Sequence, residues 1–273
     1  MKGVARREVR RLAGGAWTTA DDEMVAEEPL EIRAAGETMA ITMRTPGADR
    51  ELAVGFLFAE GVIASRDDVG SVAHCGRPDQ EGFGNTIDVR PGAGVSLDLD
   101  RLSATRRGTL TTAACGVCGR RSVGDVIDRC RPQKVAAAMI ASATISQATA
   151  ALRKLQPNFT RTGGIHAAAL HDARGQVLAA FEDIGRHNAL DKVVGKLLLE
   201  GRIPGSEAVL LVVSGRASFE VVQKASAANI PVIASVSAAS SLAVDLARAA
   251  GITLCGFVRD GNMTVYAHAE RIA

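Results

Sequence analysis

Aromatic side chains are scarce. Tryptophan and tyrosine occur once each and phenylalanine seven times in 273 residues. A core with so few rings is packed from alanine, valine, leucine and isoleucine, which suits alanine-lined helices laid on a sheet. A large charge of either sign is also missing, with 32 basic against 30 acidic residues and a formal charge of +2. That balance draws the whole chain neither to nucleic acid nor to a membrane surface, so electrostatic work must be local. No apolar run approaches the length of about 18 residues that a membrane-spanning helix needs. The charged N-terminal MKGVARREVRRLAGGAW lacks the apolar centre of a signal peptide. The chain therefore reads as cytoplasmic, with no membrane and no nucleic-acid partner. Cysteine is few and odd, five in all. In a large chain that is 47% apolar, this argues against a disulfide framework and for metal or thiol chemistry.

What is present has an order. Residues 1–23 are polar and basic and read as a loose N-terminal arm. Residues 24–100 read as a smaller α+β domain. Within it, Met24–Ala34 and Thr38–Thr45 resemble strands, and Pro46-Gly47 ends the second. Asp49 is placed to cap a helix over ELAVGFLFAEG, with Gly61 just past its end. Thr86–Arg90 and Val95–Leu99 alternate like antiparallel strands. Over 101–131 the character changes: Arg101, Arg106, Arg107, Arg120 and Arg121 accompany CGVCG in what reads as an exposed connection. From 132 to 273 a helix over roughly 133–155 precedes strands near 166–171 and 176–181. A helix from Arg186 to Glu200 stops at Gly201. Then follow strand 208–213, helix 217–228, strand 231–236, helix 239–250 and strands 253–258 and 263–267. Apolar strands alternating with helices predict an α/β domain with βαβ units and a mixed, largely parallel sheet buried on both faces.

TTAACGVCGRRS, residues 111–122, carries the sharpest chemistry. C-x2-C is half of many zinc sites; Cys75 and Cys130, or His74, could supply the other two ligands, but no second paired spacing exists. A thioredoxin-type disulfide follows a strand and opens a helix early in a βαβ unit, unlike an Arg-rich glycine loop deep in the chain. Two inert buried cysteines sit badly with polar, glycine-rich surroundings. A reactive thiolate fits them. Nearby cations lower a thiol pKa of about 8.5, and a drop of about 1.5 units ionises roughly half of it near neutral pH. Arg120 and Arg121 follow directly. A thiolate can attack a donor persulfide, keep the terminal sulfur and pass it on.

Four other clusters follow predicted strands or open helices. RTGGIHAAAL (161–170) offers exposed amides in a turn, although Gly-Gly more often marks an ordinary turn. EDIGRHNALDKVVG (182–195) gathers Asp183, Arg186, His187, Asn188, Asp191 and Lys192 at a helix start, where phosphate binds well; a solvated helix would also carry such charges. SGRASFE (214–220) offers Ser214, Arg216 and Ser218 to an anion, or simply a serine cap. In GFVRDGNMTVY (256–266) Asp260-Gly261 is a hairpin turn that leaves Arg259 and Asn262 at the sheet edge. Open α/β sheets bind ligands at that edge, so the clusters are expected to converge on one pocket.

These four clusters, together with RTPGADRELAVGFLFAEGVI (44–63) and CGVCG (115–119), occur in an order that resembles the formate dehydrogenase accessory sulfurtransferase family. The resemblance runs from about residue 24 to the C-terminus. It implies an enzyme with a cysteine persulfide intermediate. The family's persulfide cysteine falls on Cys115, and Cys118 becomes an assisting or alternate thiol. The family's cofactor-binding run falls on Phe257, Val258, Arg259, Asp260, Gly261 and Asn262. The implied sulfur donor is a cysteine desulfurase. The implied acceptor is the molybdenum cofactor, molybdenum bis(molybdopterin guanine dinucleotide), bound as substrate, with formate dehydrogenase as recipient. A cytidine-deaminase-like, three-layer C-terminal domain and a homodimer are implied as well, and no permanently bound metal. One departure is Ser237-Ala238-Ala239-Ser240, where the family often has Ser-Ala-Pro-Thr; a hydroxyl cap survives the loss of the proline. Two rivals stand beside this reading. A zinc nucleoside deaminase needs Pro-Cys-x-x-Cys, whereas CGVCG has no proline before it and lies upstream of the domain. A scaffold that binds the cofactor without transferring sulfur would need the C-terminal motifs but neither cysteine.

Overall fold

The computed structural model describes residues 3–77, 79, 83–99, 139–205 and 207–273. The CGVCG segment, and with it Cys115, Cys118 and Cys130, lies outside the described residues.

The basic N-terminus is a hairpin, not a loose arm. Strands β1 (Val4–Ala13) and β2 (Ala16–Val25) pair antiparallel throughout their length. Gly14-Gly15 turns between them at φ of 57° and 81°, a conformation in which glycine avoids a Cβ clash. Alternating charges then meet across the ladder, Arg6 with Glu23 at 3.2 Å and Arg11 with Asp22 at 2.9 Å. Glu23 also takes Arg161 at 2.7 Å, which ties the hairpin to the rest of the chain.

A four-stranded sheet follows, built from β3 (Glu28–Ala34), β4 (Glu37–Arg44), β5 (Val69–His74) and β6 (Thr86–Pro91) in the order β4-β3-β6-β5. β3 and β6 run parallel; the outer pairs are antiparallel. Val95–Leu99 forms no strand; Leu97 and Leu99 alternate because they cover the core without joining a ladder. Strand β5 escapes a pattern reading because Gly70 and Ser71 interrupt it.

Helix α1 (Asp49–Ala59) packs this sheet onto the second half of the chain. Its N-cap is Ala48 rather than Asp49, whose carboxylate is taken by Arg44 at 3.0 and 3.2 Å. Gly61 lies just past the end with φ of 73°, as expected.

The second half holds α2 (Ser142–Leu152), α3 (Pro157–Thr162), β7 (His166–His171), β8 (Val177–Asp183) and α4 (Arg186–Leu199). Then come β9 (Leu210–Val213), α5 (Phe219–Ala227), β10 (Val232–Ser235), α6 (Ser241–Ala250), β11 (Thr253–Arg259) and β12 (Asn262–Ala267). The helix expected over 133–155 begins at Ser142, because Ile140 is taken into a parallel bridge with Ile272. The sheet order is β12-β11-β10-β9-β7-β8. Only β9–β10 and β10–β11 are parallel ladders; the other three are antiparallel. The sheet is thus mixed, with a parallel centre, rather than largely parallel. Two of these three antiparallel ladders follow from local connections: β7–β8 and β11–β12 are joined by short turns, which permit only antiparallel pairing. Burial on both faces is as expected. Leu211, Val213 and Ile233 join one apolar cluster, while Leu210, Val212 and Val232 join the other.

The tightest seam is the crossing of α1 and α4. A Cβ on Gly55 would stand 1.9 Å from the Asp191 carbonyl oxygen, and one on Gly195 would stand 1.9 Å from that of Glu51. The two helices touch backbone to backbone, and Leu52, Leu57, Leu190 and Val194 share one core beside the contact.

Candidate functional site

The motifs do converge, at the end of the sheet where β9, β10 and β11 finish. Ser214 follows β9, and its Oγ accepts the Ala167 amide at 2.8 Å, which brings the start of β7 alongside. Gly215 lies against His166 and Arg186: an added Cβ would meet His166 Nδ1 at 3.3 Å and Arg186 Cδ at 3.6 Å. Burial above all, then the charge of Arg186, holds the His166 imidazole below its usual pKa, so a neutral ring faces this point.

The next link is one that motif reading missed. Ser235 ends β10, and its Oγ donates to the Gly215 carbonyl at 2.7 Å and accepts the Ser237 amide at 3.0 Å. The Ser237 carbonyl in turn accepts the Phe257 amide at 3.0 Å, and a Cβ on Gly256 would stand 2.9 Å from that oxygen. One chain of contacts therefore runs from TGGIH and GRHN through SGRAS and the Ser235–Ser237 corner to GFVRDGN. The only signal for the corner was a pair of serines just after a strand, which occurs often in loops.

The expected binding run lies at the far end of this chain. Val258 is buried; Phe257, Arg259, Asp260, Gly261 and Asn262 are exposed. Phe257 is 53% exposed and adopts φ of 52°. A bulky side chain rarely occupies that region, and an observed strain of this kind points to function. Asp260 (φ 51°) and Gly261 (φ 79°) form the tight turn that was expected.

At the helix start, four of the polar side chains that suggested a phosphate cradle are turned inward. Asp183, Asn188 and Lys192 are buried in a lock between the two halves of the chain, with Asp191 buried beside them. Lys192 Nζ lies 2.6 Å from Asp183 and donates to the Thr45 carbonyl at 3.0 Å. Asp183 also accepts the Thr45 and Gly185 amides, and Asn188 donates to the Met43 carbonyl at 2.8 Å. Arg44, 2% exposed, adds Asp49, Glu28 and the Gly84 carbonyl. The RTPGADRE and EDIGRHNALDK motifs thus meet as structure.

A second buried set lies alongside. Lys224 Nζ is 2.6 Å from both oxygens of Asp191 and 3.4 Å from Glu220. Burial works against the Lys224 charge, yet Asp191 and Glu220 outweigh it and raise its pKa. Burial pushes Asp191 up to about 7 against the pull of Lys224. One ammonium shared by two carboxylates stays charged, and Asp191 is the partner that takes up a proton first. His187 Nδ1 lies 2.9 Å from Glu220, and its Nε2 lies 3.3 Å from Ser218 Oγ.

Of the described cysteines, Cys255 is buried within β11, which pushes its thiol up to about 12, and Cys75 is half-buried. Zinc deaminases also use an H-x-E triplet. His268-Ala269-Glu270 is one, but it lies at the chain's end with its ring nitrogens facing Glu270 at 2.8 Å and the Arg248 carbonyl at 3.1 Å. No cluster of three or more metal-ligating side chains occurs among the described residues. Nor, among them, is any helix long and apolar enough to cross a membrane.

Comparison with known proteins bears on this geometry. The model of the FdhD/NarQ family matches residues 25–273. A sulfur carrier protein FdhD of Anaeromyxobacter dehalogenans (strain 2CP-C) is 54% identical over 98% of this chain and 93% of its own. Those of Streptomyces avermitilis and Mycobacterium tuberculosis are 48% and 49% identical, each over 98% of this chain and over 95% and 98% of their own. A crystal structure from Desulfotalea psychrophila, described as a formate dehydrogenase accessory protein, superposes with a TM-score of 0.77 at 23% identity. It covers 99% of this chain and all of its own, and so shares the fold.

Proposed function

The chain belongs to the FdhD/NarQ family, and from that membership we propose that it is a sulfurtransferase working through a cysteine persulfide. The Cys115 thiolate attacks the terminal sulfur of a persulfide on a cysteine desulfurase. A new S–S bond forms on Cys115 and the donor's thiolate leaves, so that no net oxidation occurs. Arg120 and Arg121 favour the anionic sulfur on electrostatic grounds, and Cys118 assists as a second thiol. The acceptor is molybdenum bis(molybdopterin guanine dinucleotide), bound as substrate and destined for formate dehydrogenase. We assign its guanine nucleotide portion to the Phe257–Asn262 edge, with Phe257 as the stacking surface. The C-terminal layers are read as cytidine-deaminase-like and the working unit as a cytoplasmic homodimer.

The observation that carries this reading is the 54% identity, over nearly the whole chain, to proteins named as sulfur carriers. The exposed, strained Phe257 beside the converged motifs supports the placement of the nucleotide. The test is intact-mass analysis after incubation with a desulfurase and cysteine. The wild-type chain gains one sulfur and Cys115→Ala does not, and the variant fails to support formate dehydrogenase activity. Equal sulfur loading of Cys115→Ala, or full activation by a variant lacking both Cys115 and Cys118, would overturn the mechanism and favour a cofactor-binding scaffold.

A further inference from the structure

The loops after β9 and β10 are built alike. Ala217 and Ala239 pair across them, and each loop ends with a serine in extended backbone as the helix N-cap, Ser218 before α5 and Ser240 before α6. Ser240 does what such a serine does, accepting the Ala243 amide at 3.3 Å. Ser218 does not; its side chain makes no cap hydrogen bond. Its hydroxyl is turned instead to His187 Nε2 at 3.3 Å, while His187 Nδ1 faces the Glu220 carboxylate at 2.9 Å. An N-cap serine ordinarily spends its hydroxyl on the first helix amides, so the diversion needs a compensating use.

From this arrangement we propose that Ser218, His187 and Glu220 form a nucleophilic relay that takes the acyl group of a carboxylic ester. The parts are in order for it. Glu220 sits on the first turn of α5, 8% exposed, and Lys224 one turn on holds it at 3.4 Å. Burial favours its neutral form, but Lys224 and His187 prevail and it stays ionised. Glu220 Oε2 stands 2.9 Å from Nδ1, off the line of a hydrogen bond; with the ring proton carried on Nδ1, Nε2 is left as the acceptor for the Ser218 hydroxyl. The ring is 3% exposed and cannot turn away, whereas Ser218 is half-buried at the end of the sheet. A separation of 3.3 Å lies within the looser range of nucleophile–base pairs seen without substrate.

In the reaction, Ser218 Oγ bonds to the acyl carbon as its proton passes to His187 Nε2. The carbonyl electron pair moves to oxygen, beside the first α5 amides that Ser218 leaves uncapped. Collapse breaks the bond to the alcohol, which leaves with the proton from His187. Water repeats the sequence and frees the acid, with no oxidant or reductant involved. This activity is separate from sulfur transfer, because one is read on Ser218 and the other on Cys115, and either can fail alone.

The test treats the full chain with a fluorophosphonate and maps the adduct by peptide mass. It then follows p-nitrophenyl acetate cleavage. The expected result is a single phosphonyl adduct on Ser218, with esterase activity lost in Ser218→Ala. Labelling should slow at least tenfold in Glu220→Gln and about 100-fold in His187→Gln. Wild-type chain unfolded in urea should not label, since the reactivity belongs to the folded arrangement. No adduct on Ser218 in the folded wild type overturns the proposal. So does labelling of the urea-unfolded chain, or of His187→Gln, at the wild-type rate.

Discussion

Gly55→Ala tests the central seam of the fold, and its sign is informative. Gly55 lies inside α1, and in an exposed helix the change to alanine would stabilise by about 1 kcal/mol. Here the new Cβ would stand 1.9 Å from the Asp191 carbonyl oxygen, 2.7 Å from its carbon and 2.9 Å from its Cα. These are backbone atoms, and no flexible side chain can yield. Ordinary contact begins at 3.4 Å, so the helices must part by about 1.5 Å. A gap of even 0.5–1 Å forfeits a quarter to a half of the dispersion energy of the atoms lining it. Overpacking of a core typically costs about 1–3 kcal/mol, and a rigid backbone contact belongs at the upper end. After the propensity gain, a net loss of about 2 kcal/mol remains, or a fall of roughly 4–8 °C in the unfolding midpoint. Gly195→Ala meets the Glu51 carbonyl on the same seam, also at 1.9 Å. A single parting of the helices relieves both clashes, so the double variant should lose clearly less than the two single losses added together. Thermal and urea unfolding of the four proteins measures this. A Gly55→Ala chain that melts higher than wild type, or a double variant that is strictly additive, would refute backbone contact between α1 and α4.

Three further outcomes are expected. Lys224→Met strands Asp191 and Glu220 in the interior without their cation; urea unfolding should show a loss of about 3–5 kcal/mol, partly recovered by adding Asp191→Asn, and unchanged stability would show that the pair is not closed to water. His166 has a folded pKa below its ordinary 6.5, chiefly through burial and then through Arg186, so the unfolded chain takes up the proton first and stability falls as pH drops through that value. Chemical unfolding at pH 7 and pH 5 should therefore show a smaller loss for His166→Gln than for wild type, and an equal loss would count against a neutral ring in the crevice. Phe257→Asn puts a residue tolerant of φ near 52° at an exposed site; its melting point should not fall, while affinity for a guanine nucleotide should drop roughly tenfold, about 1.4 kcal/mol, if the ring stacks on the base. Calorimetric titration showing undiminished binding would move the nucleotide elsewhere.

Much of the fold was legible because its signals are local. The apolar runs of β9, β10 and β11 and the helices between them follow from continuous hydrophobicity and glycine or serine punctuation. Both ends of α4 fall within a residue of where Arg186 and Gly201 place them. The hairpin over 4–25 is hidden from a pattern reading because its arms are polar and basic rather than apolar, although Gly14-Gly15 between them is a turn signal. β5 and α3 were missed because neither has a periodicity of its own. At the site, the motifs were legible as words but not in their division of labour. Asp183, Asn188 and Lys192 look like a ligand grip in one dimension and are a buried lock in three.

The sequence by itself determined the layered α/β plan, the family and the thiol motif, because periodicity, turn chemistry and short motifs act over a few residues. Tertiary structure alone decided that α1 and α4 meet through two glycines. It alone turned Ser218 from its helix toward His187 and carried Ser237 to Phe257. Those contacts join residues that are distant along the chain, and their energies depend on separations of tenths of an ångström that no spacing of letters records.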